Sequence, residues 1–233
     1  MQSRRQSLSG GGMGQVAIFG GTFDPVHWGH LLLAQTALSQ LCLHRVIWLP
    51  TRNPPHKRGL DYEQRRLMVE SAISGNPAFA IDPLQTGHHT GPDYAIRTLI
   101  ELQNIYPNCQ WYWIIGLDAF QTLPRWYHRE RLIPSCEWLV APRLASVAST
   151  AAMRLKSHST HKELDTQVSL LCQQVIQKLA DQDISIRWQL LQMPPVGISS
   201  SMIRQYCRQR RSIRYLVPEE VRAYITTRNL YLD

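Results

Sequence analysis

The chain has 233 residues, of which 44% are hydrophobic and 18% charged, with 13 glycines and 14 prolines. This composition is that of an ordinary globular protein and excludes fibrous and wholly disordered classes. No run approaches the roughly 18 apolar residues that cross a bilayer, and the first residues lack the apolar stretch of a signal peptide. We therefore expect one cytoplasmic domain with a sizeable core.

The charge and the cysteines narrow the function classes further. A formal net charge of +8 attracts polyanions but does not distinguish nucleic acids from nucleotides. Five cysteines are scattered along the chain without a C-x-x-C pair, which favours reduced, mostly buried thiols over disulfides or zinc ligands. No cluster of carboxylates, histidines and cysteines has metal-ligand spacing, so we expect no metal site built by the protein.

Residues 1–14 are rich in Ser, Gly, Gln and Arg, which predicts a disordered tail. From residue 15 onward, short apolar runs alternate with segments whose apolar residues recur at helical spacing. The predicted strands are 15–20, 45–50, 79–85, 111–116, 137–142 and 186–193. The predicted helices are 30–41, 61–74, 93–106, 163–182, 199–210 and 218–231.

This alternation predicts the fold class. Strands that alternate with amphipathic helices form parallel βαβ units, and continuously apolar strands such as WYWIIG (111–116) are buried on both faces. We predict an α/β protein with a doubly wound parallel sheet, in which residues 15–233 form one domain. The less regular stretch 144–183 is predicted to be an insertion within it.

The segment GGTFDPVHWGH (20–30) lies between the first strand and the first helix. Ligands bind at this edge of an open parallel sheet, and a helix start offers N–H groups to phosphate. Gly20 and Gly21 let a ligand approach the backbone closely. His27 and His30 are three residues apart, so both rings can face one phosphate group. For an isolated pair, a helix cap and a surface histidine would be the alternative.

A second segment, ISSSMIR (198–204), follows two prolines and a glycine and opens a helix. Serines at a helix start cap the backbone, and with the N–H groups they form a second phosphate cradle, with Arg204 one turn further on. Taken alone, the serines are an ordinary cap. Four more arginines extend the basic face, which alone would be a solvated surface: Arg208, Arg210, Arg211 and Arg214.

These two segments resemble the H-x-G-H and I-S-S-x-x-I-R signatures of the nucleotidyltransferase superfamily. Within it the chain is most similar to bacterial nicotinate-mononucleotide adenylyltransferases, because NPPHK (53–57) and IIGLDAFQTLPRW (114–126) lie in order between them. The resemblance implies a Rossmann-like nucleotidyltransferase fold with C-terminal helices. It also implies adenylyl transfer from ATP to nicotinate mononucleotide in NAD biosynthesis, by direct in-line attack without a covalent intermediate.

The resemblance also assigns residues. Charge stabilisation would come from His27, His30 and Arg204. The residues implied for ATP binding are Gly20, Gly21, Thr22, Phe23, Gly29, Gly116, Asp118, Ile198, Ser199, Ser200 and Ser201. Asp118 is placed like the family's ribose-binding carboxylate, with a helix N-cap as the alternative. Mg²⁺ would arrive with the ATP phosphates; Asp24 would touch its shell only indirectly, and a turn residue is an equal interpretation of Asp24.

The acceptor site is the part of the sequence that departs most from the family's usual pattern. The implied acceptor-binding residues are His56, Lys57, Tyr94, Ala95 and Trp126. Trp126 resembles the family's stacking tryptophan, and its flanking residues are typical of an exposed loop. The segment usually written S-Y-T is DYA (93–95) here, and Arg97 replaces a commonly acidic residue. Because backbone amides survive side-chain changes, nicotinate mononucleotide is favoured, with nicotinamide mononucleotide or another phosphate compound as the alternative.

A basic RNA-binding protein is the interpretation from a different class. H-x-G-H also occurs in class I aminoacyl-tRNA synthetases, and the isoelectric point is about 9.5. The chain lacks a K-M-S-K-S-like loop and room for an anticodon-binding domain, and its arginines cluster beside a phosphate cradle. The expected partners are therefore ATP and nicotinate mononucleotide, with no nucleic acid and no membrane. A homo-oligomer is compatible with these features.

Overall fold

Six parallel strands form one central sheet in the computed structural model, which describes residues 13–52, 59–83, 95–142, 161–194 and 196–232. The strands are β1 (Gly14–Gly21), β2 (Arg45–Pro50), β3 (Phe79–Ile81), β4 (Cys109–Gly116), β5 (Glu137–Ala141) and β6 (Arg187–Leu190). Their order across the sheet is β3-β2-β1-β4-β5-β6. The doubly wound parallel sheet predicted from the sequence is confirmed.

Helices cover both faces of this sheet. In the described part of the chain they are α1 (Trp28–Gln40), α2 (Tyr62–Ile73), α3 (Ala95–Ile105), α4 (Leu117–Phe120), α5 (Arg129–Leu132), α6 (His161–Ala180), α7 (Ser200–Arg208) and α8 (Glu219–Thr227). Short 3₁₀ turns cover Leu123–Arg125 and Ile133–Ser135. None of the helices in the described ranges is long and apolar enough to span a bilayer.

The side chains of the strands belong to two separate cores, one on each face of the sheet, because successive residues of a strand point to opposite faces. On β1, Ala17 and Phe19 belong to one core and Val16 and Ile18 to the other. The first core is closed by α1, α2, α7 and α8, and the second by α3, α4, α5 and α6. Burial of the central strands on both faces explains why their sequences are continuously apolar.

The direction of winding reverses at β1. This strand pairs with β2 on one side and with β4 on the other, so chain connections leave in opposite directions from this point. Such a switch point opens a crevice beyond the carboxyl ends of the strands, which is where open α/β sheets bind ligands. Residues 22–27, named here the β1–α1 loop, lie at this crevice.

The element boundaries differ from the prediction in several places. β3 ends at Ile81 instead of residue 85, and α7 ends at Arg208 instead of residue 210. The short helices α4 and α5 are not among the predicted helices, although the N-cap interpretation of Asp118 would start a helix near α4. These four-residue helices are too short to show a hydrophobic period, so the sequence pattern could not indicate them.

Helix α6 falls within the stretch that the sequence pattern predicted to be an insertion. It connects β5 to β6, which are parallel neighbours, and buries one side against the second core. The buried residues are Val168, Cys172, Val175 and Leu179. The helix therefore closes one face of the sheet. Residues 143–160 and residues 1–12 of the predicted tail lie outside the described residues. The predicted tail also included Gly14, which instead begins β1.

The C-terminal helices bring distant residues to the crevice. Ile203 and Cys207 of α7 and Val221 and Ile225 of α8 are buried in the first core. The start of α1 also contacts this region, because the Trp28 N–H donates to the Leu216 carbonyl at 3.2 Å. These contacts place α7 beside the β1–α1 loop.

The five cysteines are unpaired thiols, three of which are buried. Burial raises the pKa of Cys172 to about 12 and also raises that of Cys136. Because the thiolate is the reactive form, these buried side chains behave as small apolar groups.

Candidate active site

The glycines at the end of β1 serve both the crevice and the packing behind it. Gly20, Gly21 and Thr22 line a cavity at the carboxyl end of the sheet. Phe23 instead is 2% exposed, with a φ of 51° that turns its ring into the first core. A Cβ at Gly21 would lie 2.8 Å from this ring, so a glycine is needed there. The Phe23 side chain is therefore part of the core and does not line the cavity.

The two histidines of the H-x-G-H element lie together at the start of α1. His27 is the N-cap residue and is 2% exposed, and its ring stacks on that of His30 with 3.7 Å between centroids. The His27 N–H donates to Nδ1 of His30 at 3.3 Å, so a neutral His30 carries its proton on Nε2. A Cβ at Gly29 would lie 3.0 Å from the His27 ring. Glycine at this position lets the two rings stack.

The serines at the start of α7 make internal contacts with their hydroxyl groups. Ser199 is the N-cap and accepts a backbone N–H of the first turn at 3.2 Å. Ser200 donates to the carbonyl of Pro25 at 2.9 Å, and Ser201 accepts from Arg204 at 3.3 Å. The Ser200 hydroxyl thus holds the helix start against the β1–α1 loop. The first-turn amides that Ser199 does not cap are the donors best suited to an anion.

Arg204 lies against the same loop. Its Nη1 donates to the carbonyl oxygen of Asp24 at 2.6 Å, and its side chain is 25% exposed. The Asp24 carboxylate is 3% exposed and accepts from the hydroxyl of Tyr231 at 2.6 Å. Asp24 thus lies in a turn, as one interpretation of the sequence has it, and its carboxylate is also part of a buried network.

A cavity of about 640 Å³ occupies the crevice. Its walls come from the ends of β1, β2 and β4, from α3 and from the turn after α4. The lining residues that the sequence pointed to are Gly20, Gly21, Thr22, Ala95, Gly116 and Trp126. The residues of the α7 start and the histidine pair are not among those lining it. The β1–α1 loop therefore borders two places, the cavity at its beginning and the α7 start at its end.

Charged side chains of both signs line the cavity. Arg52 and Arg125 supply positive charge, and Asp82 and Glu101 supply negative charge. The Arg52 guanidinium lies 5.0 Å from the ring centroid of Tyr62, which supports it by a cation–π contact. No local sequence pattern marks these four residues as one group, because they lie on four separate segments that only the fold brings together.

Arg65 is a buried arginine that ties the cavity walls together. It is 1% exposed and donates to the carbonyls of Thr22 at 2.7 Å, Thr51 at 2.8 Å and Leu60 at 3.0 Å. Burial lowers its pKa, and the Asp24 carboxylate opposes that shift. A signal for Arg65 exists in the sequence, because it falls on the apolar stripe of α2 three and four residues before Met68 and Val69.

Three further predicted site residues lie at the carboxyl end of β4 and just before α7. Gly116 is the N-cap of α4, and a Cβ there would meet nothing within 4 Å. Asp118 is exposed in the first turn of α4, so the N-cap interpretation of Asp118 is wrong. Ile198 is partly buried against the first core. Gly116 thus leaves open space at the cavity wall.

Trp126 lies between the cavity and the second core. Its indole N–H donates to the hydroxyl of Thr122 at 2.8 Å, and its ring meets Trp113 and Trp138 edge-on. The neighbouring residues are exposed, as predicted: Arg125, Tyr127 and His128. Trp126 is therefore held in place from behind while it lines the cavity.

Three predicted acceptor-binding residues, His56, Lys57 and Tyr94, lie outside the described residues. Across the ranges that the structure describes, no group of three or more His, Cys, Asp or Glu side chains could hold a metal ion.

Comparison with known proteins connects this geometry to a family. The cytidylyltransferase-like family model matches residues 18–206. A protein of Trichormus variabilis named "Probable nicotinate-nucleotide adenylyltransferase" is 48% identical over 221 residues, covering 95% of this chain and 99% of its own length. The chain belongs to the nicotinate-nucleotide adenylyltransferase family. A family member with the same name from Synechococcus sp. is 41% identical, over 94% of this chain and 95% of its own.

A solved structure has the same fold as this family member. It is described as Plasmodium falciparum nicotinic acid mononucleotide adenylyltransferase complexed with NaAD, and it matches with a TM-score of 0.68 at 17% sequence identity. The match covers 94% of this chain and 97% of that one. The Rossmann-like nucleotidyltransferase fold implied by the resemblance is therefore confirmed.

Proposed function

We propose that this nicotinate-nucleotide adenylyltransferase transfers the adenylyl group of ATP to nicotinate mononucleotide, forming nicotinate adenine dinucleotide and pyrophosphate. The names of two relatives, which are 48% and 41% identical to this chain, support this reaction. The observation that carries the assignment in the molecule is the β1–α1 loop, which borders both a 640 Å³ cavity and the α7 start. One loop can thus bring an acceptor in the cavity next to a polyphosphate at the helix.

The chemistry requires little beyond placement and positive charge. An oxygen of the acceptor phosphate attacks the α-phosphorus of ATP, a new P–O bond forms, and the bond to the β-phosphate oxygen breaks to release pyrophosphate. The nucleophile is already an anion at neutral pH, so no general base is needed. Magnesium enters with the phosphates of ATP as part of that substrate.

The donors around the β1–α1 loop suit the leaving group. The first-turn amides of α7, the Arg204 guanidinium and Nε2–H of His30 would neutralise charge that builds on pyrophosphate, with His27 supporting the His30 ring. Thr22 and the open space at Gly116 would accommodate the nucleoside part, and exposed Asp118 would accept from its ribose hydroxyls.

The acceptor would lie in the cavity between Trp126 and the end of β1. The indole face of Trp126 would stack on the pyridine ring, and the Ala95 amide at the start of α3 would donate to the ring carboxylate. His56, Lys57 and Tyr94 complete this proposed set. The Arg125 guanidinium on the same wall is a further donor that could pair with the carboxylate of an acidic acceptor.

Pyrophosphate release by the purified protein tests the proposal. With ATP and magnesium, nicotinate mononucleotide is expected to give a higher kcat/KM than nicotinamide mononucleotide at equal concentration. A preference for the amide would keep the adenylyl transfer and overturn the acceptor assignment. Release with neither compound would overturn the proposed reaction.

Replacing Trp126 by alanine is expected to raise the KM for the mononucleotide about tenfold, the size of one lost aromatic stacking contact, with kcat within about twofold. The KM for ATP serves as the internal control and should stay constant. Trp126→Phe keeps an aromatic face but loses the hydrogen bond to Thr122. Its KM for the mononucleotide should therefore lie between those of the wild type and Trp126→Ala. A lower melting temperature with unchanged KM would instead show that Trp126 is only a core residue.

A further inference from the structure

Tyr231 reaches the β1–α1 loop from beyond the last helix. Its hydroxyl donates to Oδ1 of Asp24 at 2.6 Å, across a separation of 207 residues in the chain. Burial, together with the Asp24 carboxylate, raises the pKa of Tyr231, so the phenol is a neutral donor at physiological pH. This contact ties the segment after α8 directly to the loop.

Asp24 is also the residue that supports Arg204. Nη1 of Arg204 donates to the peptide carbonyl of Asp24 at 2.6 Å, but lies 4.0 Å from the carboxylate oxygen Oδ2. The longer distance is beyond hydrogen-bond range. The guanidinium is thus hydrogen-bonded to the Asp24 carbonyl, while the Asp24 carboxylate forms only a long ion pair with it. A small turn of that carboxylate would create a charge-assisted pair that holds the guanidinium.

The surroundings of Asp24 fix the carboxylate in its present orientation. A Cβ at Gly59 would lie 2.3 Å from Oδ2, so the chain passes directly over this oxygen. Arg65, on the other side of the loop, interacts electrostatically with the same carboxylate. The Tyr231 hydroxyl is the group that takes up Oδ1.

We propose that Tyr231 is a positioning residue for adenylyl transfer, which keeps the Asp24 carboxylate from closing to hydrogen-bond distance of Arg204, so that the guanidinium stays available to the phosphates of ATP. The inference rests on the proposed reaction and on the role given there to Arg204. Without the hydroxyl, Oδ1 loses its donor and the carboxylate gains by pairing with the guanidinium. The paired arginine would then stabilise the departing pyrophosphate less well.

Tyr231→Phe tests this directly, because it removes one oxygen and keeps the buried ring. We expect kcat to fall about tenfold, the effect of one hydrogen bond to a charged group, with both KM values within about twofold. A kcat effect without a KM effect is expected of an interaction made mainly in the transition state. Because a loss of folded enzyme would also lower the apparent kcat, kcat is expressed per folded protein, with the folded fraction measured by circular dichroism.

Tyr224→Phe is the matched control. Tyr224 lies on α8, and its hydroxyl is buried without a hydrogen-bond partner within the described part of the chain. The same atom is removed from the same region, so kcat should stay within about twofold of the wild type.

A double-mutant cycle shows whether Tyr231 acts through Asp24. On an Asp24→Asn background the carboxylate is absent, so adding Tyr231→Phe should change kcat by less than about twofold. A full tenfold loss of kcat on that background would overturn the inference, as would a Tyr231→Phe enzyme with normal kcat. In both cases an active wild-type protein would leave the proposed function standing. A wild-type protein that released no pyrophosphate would overturn both.

Discussion

Replacing His30 by alanine is expected to lower kcat for pyrophosphate release by about 100-fold or more, the loss typical of one transition-state hydrogen-bond donor. His30 accepts the His27 N–H through Nδ1, which leaves Nε2 as the proton donor. The ring stands at the amino end of α1, where the helix dipole adds to the positive potential. Steady-state kinetics at saturating ATP and nicotinate mononucleotide measures this loss.

The fold should tolerate the change, because His30 is only partly buried. His44→Ala is a matched control: His44 is exposed at the opposite edge of the sheet, and its Nδ1 also accepts a backbone N–H, at 3.0 Å. That variant should keep kcat within about twofold. An active His30→Ala enzyme would contradict the mechanism, whatever its stability.

Arg65→Met is expected to lower the free energy of unfolding by at least about 3 kcal/mol, because it leaves buried carbonyls without their donors. For a chain of this size the melting temperature should fall by about 6–12 °C. Two of the carbonyls belong to Thr22 and Thr51, which line the cavity. Their displacement should reduce kcat/KM by about 100-fold, the effect of a small misplacement of binding groups.

Differential scanning calorimetry together with kinetics at 25 °C checks both effects. Arg66→Met makes the same replacement one residue further along α2, where the arginine pairs with the surface residues Glu63 and Glu70. Because exposed ion pairs contribute little, that variant should lose less than about 1 kcal/mol. Equal losses of stability and of kcat/KM in the two variants would show that the carbonyl contacts of Arg65 stabilise neither the fold nor the cavity beyond what a surface ion pair does.

The sequence predicted the parts of the site that are local in the chain. The end of β1, the histidine pair and the serine cap of α7 each lie within a few residues, so spacing and residue type indicate their geometry. The sheet followed from alternation of apolar runs with helical periodicity. What local pattern cannot provide is the partner of each group, which depends on how distant segments pack.

Two residues show this limit in physical terms. Asp24 has the pattern of a turn residue before proline, yet it accepts from Tyr231 and supports Arg204 through contacts 207 and 180 residues away. Asp118 has the residue type of an N-cap, but Gly116 occupies that position. A side chain two residues after the cap does not satisfy the same N–H groups, so residue type alone misplaced the helix start.

The attachment of the β1–α1 loop to Ser200, Arg204 and Tyr231 has a consequence for the order in which the molecule is made. During synthesis, N-terminal segments leave the ribosome and begin to fold first. All six strands and the loop itself precede residue 199, while every one of these three contacts follows it. A nascent chain can therefore possess its sheet and its histidine pair before the contacts that support the proposed phosphate site can form.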